Sequence, residues 1–252
     1  MTLDWVSDER CILGDVTFQT LGAGLFDRES PAIALEGADF LLFKERPLIE
    51  EYVELVEELE PRHIVELGVL EGGSTAFLSE LARPRRLVAI DQKPPTVSAL
   101  ADYIADKGLA EAVRVYDDVN QADRPRLAEI VRDAFGDDPL ELVVDDCSHF
   151  YEPTRASFNE LFPRLRPGGL YVIEDWPWAH SSLADLWPDE TPLTRLIFEL
   201  QLAIPAFPGL IAEVAVRPDS AQIRRGDATV DPREFEVSEW TDPAGRGLLA
   251  DG

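Results

Sequence analysis

The segment IVELGVLEGGS, residues 64–74, carries the clearest signal of the fold in this chain. It opens with a short apolar run, which predicts a buried strand, and it continues into a turn that contains three glycines. A helical pattern follows from Ser74 to Leu81. A strand that passes through a glycine-rich turn into a helix indicates an architecture in which strands alternate with helices.

The same alternation continues on both sides of this segment. Further buried strands are predicted at residues 87–91, 113–116, 140–144 and 170–173. Helices are predicted from Pro47 to Leu59 and at residues 97–107, 127–135 and 158–165. Continuous apolar strands that alternate with helices are typical of a parallel sheet covered by helices on both faces.

The pattern changes after residue 180. A helix is predicted at residues 193–204, and two strands at residues 211–217 and 221–225 form a predicted hairpin around the turn at residues 218–220. We therefore predict an α/β fold with a doubly wound, mainly parallel, Rossmann-like sheet and a C-terminal antiparallel hairpin.

The length of 252 residues suits one α/β domain with short additions. Residues 1–45 contain scattered aromatic residues without a clean period, so we predict an irregular segment that covers a cofactor or forms a dimer interface. Residues 46–230 form the predicted main domain, and residues 231–252 form a predicted C-terminal tail.

Composition narrows the range of partners. The formal net charge is −26, from 23 Lys and Arg against 49 Asp and Glu. Such a charge repels phosphate backbones and anionic lipid headgroups, so we expect neither nucleic acid nor a membrane as a partner. There is no basic, apolar N-terminal stretch and no apolar run near the roughly 20 residues of a membrane span, so we expect a soluble cytoplasmic protein. The two cysteines are too few for a disulfide framework.

Ligands of an open parallel sheet bind at the carboxyl ends of its strands. The glycines at residues 68–73 follow the pattern G-x-x-x-G-G, with an acidic residue two positions before the first glycine. This differs from the dinucleotide pattern G-x-G-x-x-G and weighs against NAD. The helix N-terminus at Ser74 offers free N–H groups to an anion, such as the carboxylate of S-adenosylmethionine.

Acidic residues after the later strands suit the rest of this cofactor. Asp91 ends the second strand, where a carboxylate can accept from the ribose hydroxyls, and Asp118 follows the third strand, where it can accept from the adenine amino group. Any one of these acids alone is equally explained by a loop cap. The predicted cofactor residues are Glu66, Gly68, Gly72, Ser74, Asp91, Asp118 and Asp145.

Two acidic pairs follow the next two buried strands. Asp145-Asp146 is followed by His149, and Glu174-Asp175 comes after the fifth strand. Because both strand ends lie at one edge of a parallel sheet, Asp146, Glu174 and Asp175 are the predicted ligands of one Mg²⁺ or Mn²⁺. His149 is the predicted general base for a hydroxyl. A turn or a helix cap explains either pair alone, and the sequence leaves open which of Asp145 and Asp146 binds the metal.

Four runs carry a resemblance to the macrocin and mycinamicin sugar O-methyltransferases, and it covers about residues 45–180. The runs are residues 66–74, 146–149, 162–170 and 174–175. The chain is also similar to the actinobacterial 1-O-methyltransferase of methylmannose polysaccharide synthesis, which falls in the same group. Cys147 stands where glycine is common in the family. The predicted terminal hairpin is typical of class I methyltransferases.

The resemblance implies Mg²⁺-dependent methylation of a sugar hydroxyl on a glycosylated metabolite, with S-adenosylmethionine as the methyl donor. It implies that Asp146, Glu174 and Asp175 are metal ligands and that His149 is the base.

We therefore expect an O-methyltransferase that acts on a sugar hydroxyl of a glycoside, an oligosaccharide or a glycosylated metabolite, with a methylmannoside as one option. A catechol-like or other small-molecule acceptor is the alternative, because a catechol also presents two vicinal oxygens. A non-catalytic cofactor-binding protein is the alternative outside enzymes, and the retained acids and His149 weigh against it. Trp176 and Trp178 form either a packed lid or a stacking surface for a sugar. We expect a homodimer.

Overall fold

The computed structural model describes residues 2–21, 37–94, 98–181, 184–186 and 190–241. The chain divides into two compact units, Met1–Val119 and Asn120–Gly252. Within the described residues, the first unit holds seven strands and three α-helices, and the second holds four strands and four α-helices.

The first unit begins with four short strands that form one sheet. They are β1 (Leu3–Ser7), β2 (Arg10–Leu13), β3 (Val16–Leu21) and β4 (Phe40–Glu45), in that order across the sheet. The β3–β4 pair is parallel and the other two pairs are antiparallel. The prediction of an irregular segment was therefore wrong for the described part of residues 1–45. Buried and half-buried residues alternate over only four positions in β2, which is too short for the period to stand out in the sequence.

The rest of the first unit follows the predicted alternation. Its elements are α1 (Arg46–Leu59), β5 (His63–Leu67), α2 (Gly73–Ala82), β6 (Arg86–Ile90), α3 (Ala99–Asp106) and β7 (Val113–Tyr116). Helix α1 buries the apolar stripe that its three- and four-residue spacing predicts, and Pro47 lies in its first turn, where no intrahelical bond is lost. Strands β5, β6 and β7 pair in parallel, and β5 and β6 are buried along nearly their whole length.

The second unit completes the fold. Its elements are α4 (Arg124–Phe135), β8 (Leu140–Asp145), α5 (Tyr151–Leu161), β9 (Leu165–Glu174), α6 (Thr194–Ala206), β10 (Ile211–Val216), β11 (Ser220–Arg225) and α7 (Val237–Thr241). Strands β8 and β9 are parallel, and β11 is antiparallel to both β9 and β10. The strand order is β5-β6-β7 in the first unit and β10-β11-β9-β8 in the second. The predicted α/β fold with a mainly parallel sheet and a C-terminal antiparallel hairpin is confirmed.

Two boundaries around α5 differ from the prediction. The helix begins at Tyr151 rather than at residue 158, and β9 begins at Leu165 rather than at residue 170. Pro153 is tolerated because it lies in the first turn of α5. Pro163 has no N–H to continue the helix, and a short 3₁₀ helix, Phe162–Arg164, leads directly into the strand.

The described part of the predicted C-terminal tail packs against the second unit. Phe235 and Val237 are buried. Asn159 of α5 accepts a hydrogen bond from the Val237 N–H over 2.9 Å and donates to Glu236 over 2.7 Å, and Arg124 also contacts Glu236. These residues therefore belong to the packed core of the unit, while the division of the chain at residues 45 and 230 stays a prediction.

Candidate functional site

The glycine-rich loop joins β5 to α2 in the first unit. Gly68 and Gly72 have φ angles of 92° and 87°, a left-handed backbone that favours glycine. A Cβ on Gly73 would lie 1.9 Å from the backbone oxygen of Leu41, so the packing of α2 against β4 requires this glycine. Helix α2 begins at Gly73, which places Ser74 in the first turn, where N–H groups have no intrahelical acceptor. The first turn of α2 therefore has the N–H groups without intrahelical acceptors that the predicted anion site needs.

Glu66 and Asp91 both hold the ends of this loop. Glu66 is 1% exposed, and the Thr75 hydroxyl donates to its Oε2 over 2.6 Å. Asp91 Oδ2 accepts hydrogen bonds from the N–H groups of Val69 (2.7 Å) and Leu70 (3.1 Å), and its Oδ1 accepts from Lys93 (2.9 Å). These bonds use three of about four lone-pair positions of the carboxylate. The sequence did not indicate this loop-holding role of Asp91.

Asp118 lies on the exposed loop after β7 and has a φ of 59°. The N–H of the next residue, Val119, donates to the backbone oxygen of Asp91 over 3.1 Å. This bond ties the loops after β6 and β7 together, so that the first unit holds Asp91 and Asp118 on adjacent loops.

Asp145 is buried in the second unit, and both oxygens of its side chain accept hydrogen bonds. Its Oδ1 accepts from Gln121 Nε2 (2.6 Å), and its Oδ2 accepts from the hydroxyls of Ser157 (2.8 Å) and Tyr171 (2.5 Å). The side chain is 2% exposed. Burial raises the pKa of Asp145 to about 7, although the bonds from Tyr171 and Ser157 act in the opposite direction. Both oxygens are thus engaged inside the second unit, and the role of this side chain at the cofactor stays a prediction.

A group of possible metal ligands lies at the ends of β8 and β9. Asp146, His149 and Asp175 each offer one ligand atom, and these atoms all lie within 4.8 Å of one another. His149 Nε2 is 3.9 Å from Asp175 Oδ2. All three residues are half-buried. The structure thus unites two of the three predicted ligands with the predicted base.

Glu174 is not a member of this group. It is the last residue of β9 and is 1% exposed, whereas Asp175 lies just beyond the strand. The role of Glu174 as a ligand stays a prediction, and His149 is a candidate ligand as well as a candidate base.

Strained backbone also marks these loops. Among the described non-glycine residues, six have a positive φ, and two of these, Glu60 and Arg83, are the C-caps of α1 and α2, where this conformation is common. The other four are on loops that follow strands: Leu70, Asp118, His149 and Asp175. A left-handed residue other than glycine costs about 1–2 kcal/mol and concentrates at functional sites. His149 and Asp175, two of the three possible metal ligands, therefore show a second sign of function.

Aromatic residues lie beside the group. The ring of Trp178 is 4.8 Å from the ring of His149, centroid to centroid, with the planes tilted by 46°. Trp176 donates its indole N–H to the backbone oxygen of Arg217 over 2.9 Å. Both tryptophans are half-buried, so each keeps part of its surface accessible. The contact of Trp178 with His149 had no signal in the sequence beyond the two tryptophans themselves.

The donor set fits a hard divalent cation. Two carboxylates and an imidazole within 4.8 Å of one another suit Mg²⁺ or Mn²⁺ with water or substrate oxygens as further ligands. The two carboxylates also repel each other, and a cation between them removes that repulsion.

Known proteins match part of this chain in sequence. Residues 65–176 match the family model described as a methyltransferase domain. The demethylmacrocin O-methyltransferase of Streptomyces fradiae is 43% identical over 98 residues, which are 37% of this chain and 24% of the relative. A tetracenomycin 2'-O-methyltransferase of Streptomyces olivaceus, named for an α-L-rhamnosyl substrate, is 42% identical over 87 residues, 32% of this chain and 22% of the relative. The matched part therefore spans about a quarter of the length of these curated relatives.

Two solved structures extend the comparison. The MycE methyltransferase from the mycinamycin biosynthetic pathway, solved in complex with Mg, SAH and mycinamycin VI, has a TM-score of 0.54 and 26% identity, covering 71% of this chain and 49% of that one. The O-methyltransferase TomG from Streptomyces achromogenes has a TM-score of 0.52 and 20% identity over 81% of this chain and 85% of that one, which shows the fold alone. Residues 65–176 therefore match a methyltransferase domain, and the chain resembles the macrocin and mycinamicin sugar O-methyltransferases.

Proposed function

We propose that this protein transfers a methyl group from S-adenosylmethionine to a sugar hydroxyl of a glycosylated small molecule, with Mg²⁺ or Mn²⁺ as a second cofactor. The observation that carries the proposal is the group of Asp146, His149 and Asp175, two of which are held in a strained backbone conformation. A protein that only bound the cofactor would not need to maintain this group.

The first unit supplies the residues for the cofactor. The N–H groups at the start of α2, around Ser74, would bind the carboxylate, and Gly68 and Gly72 would let the backbone come close. Asp91 would bind the ribose and Asp118 the adenine amino group. Since Asp91 already accepts three backbone N–H groups, a bond to each ribose hydroxyl requires it to release a bond to Val69 or Leu70. S-adenosylmethionine supplies a methyl group that its sulfonium already activates.

The second unit supplies the residues for the metal and the proton. Asp146 and Asp175 would hold the cation, and Glu174 remains a proposed ligand only if its side chain turns towards them. A divalent cation supplies a Lewis acid that lowers the pKa of a hydroxyl. His149 would accept the proton of the acceptor hydroxyl, and the protein would orient that oxygen in line with the methyl group.

The proposed acceptor is a sugar because the named relatives act on glycosides. Trp178, half-buried and in contact with His149, offers an aromatic surface to the apolar face of a sugar ring. A vicinal diol is the simplest acceptor for a site with a cation, and catechols share that feature. A catechol-like acceptor is therefore the second candidate.

Because of the net charge of the protein, we propose neither nucleic acids nor anionic membranes as partners. At a net charge of −26 the protein repels nucleic acids and anionic membrane surfaces. None of the helices in the described part of the chain has the length and apolarity that a membrane span requires. A homodimer and a cytoplasmic location stay predictions.

Methyl transfer to a matched panel of acceptors tests the proposal. The purified protein, Mg²⁺ and S-adenosylmethionine with a labelled methyl group would be offered rhamnosides and mannosides with free vicinal hydroxyls, the same sugars with those hydroxyls blocked, and catechols. We expect label on the free glycosides and none on the blocked ones. Label on catechols alone would support the second candidate. Calorimetry is the control for cofactor binding. Tight binding of NAD without binding of S-adenosylhomocysteine would contradict both candidate functions, methylation of a sugar and methylation of a catechol.

A further inference from the structure

We propose that the N-terminal half of α6 positions the two loops of the candidate metal site, with Thr194 and Glu199 as the positioning residues. The proposal rests on the proposed function, because it concerns the same site. The two loops are residues 146–150, between β8 and α5, and residues 175–180, after β9. Both are joined to α6 by contacts within the second unit.

Tyr151 fixes the end of the first loop. It is 4% exposed, and its hydroxyl lies 2.9 Å from each carboxylate oxygen of Glu199. Arg195 donates to the same carboxylate over 3.1 Å and lies 5.0 Å from the centre of the Tyr151 ring, and Arg155 lies 5.4 Å from that centre. A ring in contact with two guanidinium groups, with its hydroxyl on a buried carboxylate, is strongly restrained. The backbone that follows His149 is held there.

The start of α5 also contacts the segment that precedes α6. The N-cap residue, Phe150, makes no side-chain cap hydrogen bond. Phe150 instead forms an isolated β-bridge with Pro192, two residues before α6 begins. The start of α5 is thus fixed by contacts around α6 rather than by a local cap.

Thr194 fixes the end of the second loop. Its hydroxyl lies 2.6 Å from His180 Nε2. Between Asp175 and His180 the backbone is tightly bonded, because the Trp178 N–H donates to the Asp175 oxygen over 3.2 Å and the His180 N–H donates to the Pro177 oxygen over 2.8 Å. An anchor at His180 therefore restrains the position of Asp175.

Together, these contacts connect α6 with the two loops and connect the two loops with each other. Helix α6 holds Tyr151 and His180, and the contact of Trp178 with His149 joins the two loops again on the other side. Left-handed conformations such as those of His149 and Asp175 persist only where the surroundings impose them. A metal site also requires its ligands to be held closely in place by the residues behind them. The α6 contacts meet both requirements.

Metal affinity is the readout that separates positioning from general stability. Mn²⁺ binding to the full chain would be measured by electron paramagnetic resonance for wild type, Glu199→Gln, Tyr151→Phe and Thr194→Val. We expect each variant to bind Mn²⁺ about 10-fold more weakly, the lower end of the effect of residues that support metal ligands. The circular dichroism spectrum and the affinity for S-adenosylhomocysteine should stay at the wild-type values, and Thr194→Ser should restore Mn²⁺ binding.

Glu129→Gln is the matched control, since Glu129 pairs with Arg126 on the exposed face of α4. It should bind Mn²⁺ like the wild type. Tyr151→Phe covers the case in which Glu199→Gln fails to fold, because it removes one hydroxyl and keeps the apolar bulk of the ring. Unchanged Mn²⁺ affinity in the folded variants would overturn the positioning role and leave the proposed function standing. A wild-type protein that binds no Mn²⁺ would overturn both.

Discussion

Replacing Asp146 with alanine should lower the rate of methyl transfer by about 100-fold or more and leave the fold intact. Residues that only support metal ligands change affinity or activity by about 10–100-fold, so loss of a direct ligand should reach or exceed the upper end. Asp146 contributes one of the two carboxylates of the group, and its removal leaves Asp175 and His149 alone. Initial rates with labelled S-adenosylmethionine at saturating Mg²⁺ would measure the loss.

Asp133→Ala is the matched control for this substitution. Asp133 lies on α4, where its side chain is 62% exposed, so its removal should leave the rate unchanged. The circular dichroism spectrum and the affinity for S-adenosylhomocysteine should match the wild type in both variants. An Asp146→Ala protein that kept the wild-type rate would show that this carboxylate is only part of a turn.

Replacing His149 with asparagine should lower the turnover rate by about 10²- to 10⁴-fold, the usual contribution of one positioned base. Asparagine is the better choice than alanine, because it tolerates the left-handed backbone of this position, where φ is 58°. Its amide oxygen can still bind a cation but cannot accept a proton at neutral pH. Turnover under conditions in which the chemical step limits the rate would measure the effect.

Mn²⁺ affinity of the same variant separates the two roles that the structure allows for His149. If His149 is a base and not an essential metal ligand, the His149→Asn variant should bind Mn²⁺ with near wild-type affinity and turn over slowly. Loss of Mn²⁺ binding in His149→Asn would assign the imidazole to the metal instead. Near wild-type turnover would exclude the base role of His149, because asparagine cannot accept the proton.

The parallel part of the sheet was predictable because its strands are continuous apolar runs. The residues of β5 and β6 are almost all buried, and such runs appear in the sequence without any tertiary information. The sheet of β1 to β4 was not predictable in the same way. Its strands mostly alternate buried residues with more exposed ones and are not continuous buried runs, and partners as distant as Phe18 and Phe40 must meet before their pattern has meaning.

The position of the candidate site followed from topology, but the direction of individual side chains did not. Parallel strands bring their carboxyl ends to one edge, which is why Asp146 and Asp175 were found together. Sequence order alone does not show that Asp145 turns into the core onto Tyr171, or that Glu174 is buried beside an accessible Asp175. Those differences depend on which face each residue takes at the end of its strand.

The residues that hold the loops in place were the hardest to predict from the sequence. Tyr151 and Glu199 are 48 positions apart, and neither belongs to a recognisable motif. Asp91 was singled out for the ribose, yet its bonds to Val69 and Leu70 depend on the path of the loop backbone. Contacts of this kind appear only when distant segments are placed in space.

Methyl transfer to a glycoside with and without a metal chelator tests most directly whether a cation at Asp146, His149 and Asp175 is part of the reaction. The same protein would be assayed by intact mass of the acceptor in three reactions: with Mg²⁺, with excess chelator, and with chelator followed by excess Mg²⁺. We expect a methylated glycoside in the first and third reactions and none in the second. Equal amounts of product in all three reactions would contradict the proposed metal dependence and reduce the acidic group to a structural feature of the loops.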